Sequence, residues 1–176
     1  FRFAQYAGAS GISKISAGAT LADGAAVVTA LRAGVNKMDE DEVDPNNRYL
    51  FITPTLYGMI RDLDTTKSKE VLETFAGIIK VPQSRFYTAI DQYDGTTSSE
   101  EAGGYVKDPT NGCDINFMII EKSAVIQFEK HVAPKIITPE QNQSADAYKF
   151  GYRNVGIADV YANKVAGIYL HHKAKA

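Results

Sequence analysis

The segment Arg48–Leu63 constrains this chain more than any other. Tyr49 to Ile52 are four consecutive aromatic or apolar residues, a length that fits one strand covered on both faces. Thr53 supplies a hydroxyl at the N-cap position, and Pro54 fills the first helical turn, where its missing N–H costs nothing. Leu56, Met59, Ile60 and Leu63 then recur at i, i+3, i+4 and i+7, so they share one helical face. A buried strand running through a capped turn into an amphipathic helix needs a sheet beside it and a core beneath it.

Around this unit the sequence predicts further elements. Thr20 with Asp23 reads as a capping box, opening a helix over Leu21–Met38 whose Val28, Leu31, Val35 and Met38 form one stripe. Gly24 and Gly34 are expected to weaken that helix by roughly 1 kcal/mol each relative to alanine. Phe1–Thr20, rich in Gly, Ala and Ser, reads as an irregular lead-in, and Lys67–Phe75 fits either a short helix or an edge segment. Strands are expected at Ile78–Val81, stopped by Pro82, and at Asn116–Ile120, both in the same sheet as Tyr49–Ile52. Gln83–Gly112 has no sustained period and reads as a long loop. Beyond it, Ala124–Glu129, Lys135–Ile137, Tyr148–Arg153, Val155–Tyr161 and Val165–His172 read as extended segments. Tyr148, Phe150 and Tyr152 occupy one face of theirs, with Lys149, Gly151 and Arg153 opposite. Helices early and strands late give an α/β or α+β class.

Composition bounds the function. A length of 176 residues supports one domain with a sizeable core, and a formal charge of −2 argues against a broadly basic nucleic-acid surface. No apolar run reaches the length of a membrane-spanning helix. The single cysteine, Cys113, excludes an internal disulfide and a Cys-rich zinc site, and an intracellular origin fits best. The sequence begins at Phe1 and its first methionine is Met38, so it is expected to begin inside a longer chain.

Each chemical candidate has a simpler structural reading. The acidic tract Asp39–Asp44 lacks the ligand spacing of a helix-loop-helix calcium loop and reads as a solvated turn. Gly103-Gly104 is not followed by the Gly-Lys-Ser/Thr of a phosphate loop, and Gly8-Ala9-Ser10-Gly11 lacks the spacing of a nucleophile elbow. His171 and His172, adjacent on a strand, point to opposite faces; followed by Lys173 and Lys175 they read as a polar terminus, and His131 stands alone. Cys113 sits beside Asp114, whose charge disfavours a thiolate, and Asp91 and Asp94 read as solvated loop carboxylates. Ten tyrosines and eight phenylalanines without a tryptophan suggest broad contact faces instead of one dedicated pocket. No catalytic residue, cofactor or metal is expected.

The order of the segments is similar to that of the major capsid (coat) proteins of tailed bacteriophages. Arg48-Tyr-Leu-Phe-Ile-Thr-Pro-Thr-Leu-Tyr57 resembles that family's strand, proline turn and helix, and Ile78-Ile-Lys-Val-Pro-Gln-Ser-Arg-Phe86 resembles its next strand and the segment after it. Ile115–Val125, continued through Gln143–Asp146, Tyr152-Arg153 and Lys164–Tyr169, resembles its C-terminal part, and Phe1-Arg-Phe3 the residues before its helix. The resemblance implies the coat-protein fold: an axial domain with a central mixed sheet flanked by helices, here 1–134, and C-terminal strands reaching a peripheral domain, here 135–176. It implies a structural subunit that self-assembles into the DNA-containing head shell of a phage or prophage. Its partners would be its own copies in hexamers and pentamers, with scaffold, portal and maturation proteins, and neither a membrane nor a specific nucleic-acid sequence. The expected location is the virion, after synthesis in the bacterial host cytoplasm. That family's N-terminal arm, extended loop and spine helix have no counterpart in these 176 residues, so the chain alone is expected to be mainly monomeric. An encapsulin-like compartment shell and a small-molecule enzyme on an unrelated α/β scaffold are the alternatives.

Overall fold

The computed structural model describes residues 1–17 and 21–175. Its central sheet has five strands: β1 (Ser13–Ala17), β2 (Arg48–Ile52), β3 (Gly77–Lys80), β6 (Ile115–Glu121) and β9 (Ile168–Lys173), in the spatial order β1-β9-β6-β2-β3. The two outer pairings, β1 with β9 and β2 with β3, are parallel; β9 with β6 and β6 with β2 are antiparallel. The expectation that Tyr49–Ile52, Ile78–Val81 and Asn116–Ile120 share one sheet holds, and the class is mixed α+β.

Register places Ile52 beside Phe117 and Leu50 beside Ile119, and Ile119 beside Tyr169. These residues form the sheet side of the main core. Three helices cover them: α2 (Gly24–Glu40), α3 (Pro54–Leu63) and α4 (Thr66–Glu73). From α2 come Val27, Val28, Leu31 and Met38, with Val35 partly buried. From α3 come Leu56 and Ile60, with Met59 and Leu63 partly buried against the same cluster. The i, i+3, i+4 pattern therefore selected the faces that the helices bury.

Several local expectations need correction. Thr53 occupies the N-cap of α3, but its side chain makes no capping bond; its carbonyl accepts the Tyr57 N–H at 3.0 Å, and Pro54 alone organises the turn. Strand β2 is not covered equally on both faces, because Arg48, Leu50 and Ile52 are buried while Tyr49 and Phe51 are half-buried. Helix α2 is capped by Asp23, which accepts the Ala26 N–H at 2.8 Å; Thr20, the other half of the expected capping box, lies outside the described residues. The Lys67–Phe75 stretch resolves as α4, with a capping box between Thr65 and Ser68.

The lead-in is not irregular. Arg2–Gly8 forms a short helix, α1, and β1 adds to the sheet by pairing with the last strand. Phe3 of α1 packs edge-on against Phe51 at 5.3 Å and Phe86 at 4.8 Å between centroids, covering the face of the sheet opposite α2. The expected long loop at Gln83–Gly112 contains a small hairpin, β4 (Ile90–Gln92) and β5 (Tyr105–Lys107). The last strand begins at Ile168, because Ala162–Gly167 coils into a 3₁₀ turn.

Residues Phe1–Val125 with Asp159–Ala176 form one compact unit, and Ile126–Ala158 forms another. The second is built from β7 (Val125–Ile137) and β8 (Lys149–Val160), two strands in a sheet of their own. The extended segments expected at Ala124–Glu129 and Lys135–Ile137 are thus one strand, and those at Tyr148–Arg153 and Val155–Tyr161 are another. Gly156 lies against Phe128 and Glu129, and Gly151 against Lys135, so the strands run antiparallel.

Candidate functional site

The residues weighed for chemistry fall into separate places, each with a structural task. His171 and His172 are not a polar terminus. Strand β9 is flanked by β1 and β6, and both imidazoles are buried. The Asn116 side-chain amide lies 3.1 Å from His171 Nδ1, and the Phe117 ring stacks on the imidazole at 4.9 Å. An amide donor at Nδ1 requires an unprotonated nitrogen there, so the neutral ring carries its proton on Nε2. Burial, and secondarily the charge of His172, push the His171 pKa below its ordinary value. The His172 Nδ1–H donates to the Lys173 carbonyl at 2.7 Å. The two rings do not converge on one point.

Cys113 precedes β6 and is partly exposed; its N–H donates to Thr88 Oγ1 at 2.8 Å. Asp114 is held by Lys107 and Lys173, each at 3.2 Å, so its carboxylate serves as a clasp between β5 and β9. Asp91 lies exposed on β4. Asp94 begins the tip of the β4–β5 hairpin, where it accepts the Thr97 hydroxyl at 2.6 Å and the Thr97 and Thr96 N–H groups at 2.8 and 2.7 Å. These bonds hold its carboxyl well below the usual carboxylate range, so at neutral pH it is an anion that shapes a turn. Gly103 and Gly104 take positive φ where the hairpin returns, and Gly8–Gly11 links α1 to β1.

The acidic turn is anchored from beneath. Arg48, at the start of β2, donates to Asp39 at 2.6 Å and also to the Val43 carbonyl. Asp44 accepts the Asn46 N–H and caps the 3₁₀ turn Pro45–Asn47. Sequence reasoning began the strand at Tyr49 and missed the part of Arg48 in holding the turn, although a cation nine residues after an acid is the available signal. Among the described residues, no group of three or more His, Cys, Asp or Glu could hold a metal ion. No helix among them is long and apolar enough to cross a membrane.

What the chain does present is contact surface. Along β7 and β8 Phe128, Val132, Ile136, Phe150, Tyr152, Val155 and Ile157 are exposed, as is Tyr148 just before β8; Phe150 reaches 74% and Tyr152 70%. His131 lies in the same ribbon and is exposed. A two-stranded ribbon has no core of its own, so its apolar side chains gain burial only against another surface. In the larger unit an open groove of about 1090 Å³ runs between α1 and the β4–β5 hairpin.

No protein-family model and no curated protein sequence matches the chain. Solved structures do. The capsid of cyanophage P-SCSP1u matches 99% of this chain with a TM-score of 0.61 at 16% identity. A virus-like particle from Pyrococcus furiosus matches 95% with a TM-score of 0.60 at 12% identity, and a chain of Mycobacterium phage Che8 matches 96% with a TM-score of 0.59 at 9% identity. This chain spans 55–60% of the length of those three. Its mixed sheet, covering helices and β7–β8 ribbon together have the fold of phage capsid and virus-like-particle proteins.

Proposed function

We infer that the chain is part of a shell-forming structural protein, a major capsid subunit of a tailed phage or prophage. The observation that carries this reading is the fold likeness to a cyanophage capsid and a virus-like particle, which extends over at least 95% of the chain in each. The exposed apolar ribbon supports it, since a shell subunit must reserve such surface for its neighbours. In place of the expected division at residue 134, residues 1–125 with 159–176 are read as the axial-type part and the 126–158 ribbon as the peripheral part. The principal partners are copies of the same protein, with scaffold, portal and maturation proteins during head assembly. The protein is made in the host cytoplasm and resides in the virion. It performs no catalysis and needs no cofactor or metal, because Asp94, Asp114, His171 and His172 are each occupied in holding local structure.

The likeness to a virus-like particle from Pyrococcus furiosus leaves a second reading open, an encapsulin-like compartment shell. Expression of the full-length protein followed by electron microscopy tests both. Closed particles are expected, and only soluble small species would overturn the shell reading. Nuclease-protected DNA inside particles purified from the native host supports the capsid, and a protein cargo without DNA supports the compartment.

A further inference from the structure

The groove between α1 and the hairpin has two unlike walls. Phe1, Ala4 and Gly8, with Gln5, make the α1 side mainly apolar, while Asp91 and Glu100, with Lys107, line the hairpin side. Over the hairpin, Asp91, Asp94, Glu100 and Glu101 stand against one cation, Lys107, which Asp114 already engages. Strand β8 and the residue before it have the matching asymmetry. Tyr148, Phe150 and Tyr152 alternate on one face, and Lys149 and Arg153 lie on the other. Among the described residues, neither cation has an ion-pair partner.

We propose that this groove receives the β8 edge of a second copy, with the aromatic face of β8 toward α1 and its basic face toward Asp91 and Glu100. The proposal rests on the shell reading and names a contact that the shell uses. Its size is suitable. An aromatic side chain offers about 150–250 Å² for burial. Tyr148, Phe150 and Tyr152, exposed at 61%, 74% and 70%, therefore hold on the order of 400 Å². That is about half of the roughly 800 Å² per partner of a standard interface. The basic face and α1 supply the remainder, and the opposite charges set register and orientation. Because a groove on one copy meets a strand on the next, the contact is heterologous, which is the type that closes rings.

The test uses two variants of this chain, K149E/R153E on the strand and D91K/E100K in the groove, in sedimentation over a concentration series at low and high salt. The unaltered chain is expected to self-associate weakly at high concentration and to lose that association in high salt. Each variant alone, with its fold verified by circular dichroism and thermal melting, should remain monomeric. An equimolar mixture should regain association, since the intact strand of the groove variant meets the intact groove of the strand variant, and the reversed acidic strand and basic groove also carry opposite charges. Self-association of either variant at the unaltered level overturns the proposal, as does a strictly monomeric unaltered chain. Particle formation by the full-length protein is scored separately, so this contact can fail while the shell reading stands.

Discussion

Arg48 donates to Asp39 at 2.6 Å from a side chain that is only 2% exposed, whereas that of Asp39 is 54% exposed. The pair ties the C-terminal turn of α2 to the first residue of β2, across the acidic segment that joins them. Its energetics are asymmetric. Removing Asp39 leaves a buried guanidinium short of its anion, whereas removing Arg48 leaves an acid that water can solvate.

The first prediction follows from this asymmetry. Asp39→Ala should cost about 2 kcal/mol and Arg48→Met less, because the apolar replacement removes the buried charge together with its need for a partner. Asp39→Asn, which keeps an acceptor, should fall between Asp39→Ala and the unaltered protein. Denaturant unfolding gives the ranking; Arg48→Met more damaging than Asp39→Ala would show that the guanidinium stabilises through packing and the Val43 carbonyl.

A second prediction concerns two glycines whose roles invert between sequence and structure. Helix propensity alone favours alanine at Gly24 and Gly34 by roughly 1 kcal/mol each. A Cβ on Gly24, however, would stand 2.3 Å from the Met59 carbonyl oxygen, where backbone must shift. At Gly34 it would meet Ile119 Cδ1 and the Tyr169 ring at 2.9 Å. Both alanine substitutions should therefore destabilise, by about 1–3 kcal/mol, with Gly24→Ala the worse. A raised melting temperature for either would show that the helix can move away from the contact without loss.

The same contrast explains what the sequence made legible. Arg48–Leu63 was readable because its strand, turn and helix signals lie within sixteen consecutive residues. The helix α1 has no side-chain cap, and β1, Ser-Lys-Ile-Ser-Ala, has no apolar alternation; β1 is a strand because β9, some 155 residues later, offers a parallel partner. His171 and His172 looked terminal because of the lysines after them, yet strands distant in sequence bury them. The aromatic alternation at Tyr148–Tyr152 was visible, but not that it belongs to a ribbon whose faces stay exposed. Sequence periodicity reports that a face is apolar; it does not say whether this chain or another covers it.

His171 supplies a pH prediction. Its pKa is depressed from the ordinary 6.5 in the folded protein by burial. The unfolded chain therefore binds the proton more readily, and folding stability should decline as pH falls below about 6.5 until the folded pKa is reached. Above that window the histidine contributes no slope. His171→Phe keeps the stack on Phe117 but leaves the Asn116 amide without its acceptor, so it should lower stability by about 1–2 kcal/mol at neutral pH. It should also flatten the decline below about 6.5. Asp44, Asp64, Asp94 and Asp108, all depressed, act only in the more acidic carboxylate range and do not confuse this readout. An unchanged slope in the variant would place the titration elsewhere.

The last prediction separates the two units by local stability. Amides of β6 lie in a strand whose seven residues are all buried, between β2 and β9, and they open only when the sheet does. Amides of β7 and β8 belong to a ribbon with no buried residue among its strands. A two-stranded ribbon is marginal in water on its own, because its hydrogen bonds are exposed and its apolar atoms bury little. Hydrogen exchange of this chain should therefore show β6 and β9 protected near the level of global unfolding, and Ile126–Ala158 protected far less. The exposed connection Gln143–Ala147 should be the first site of limited proteolysis. If the proposed shell forms, the ribbon within particles should rise toward the protection of the core sheet, since a neighbouring surface then supplies the burial it lacks. Equal, high protection of ribbon and sheet in the isolated chain would show that the ribbon is stable without any neighbour.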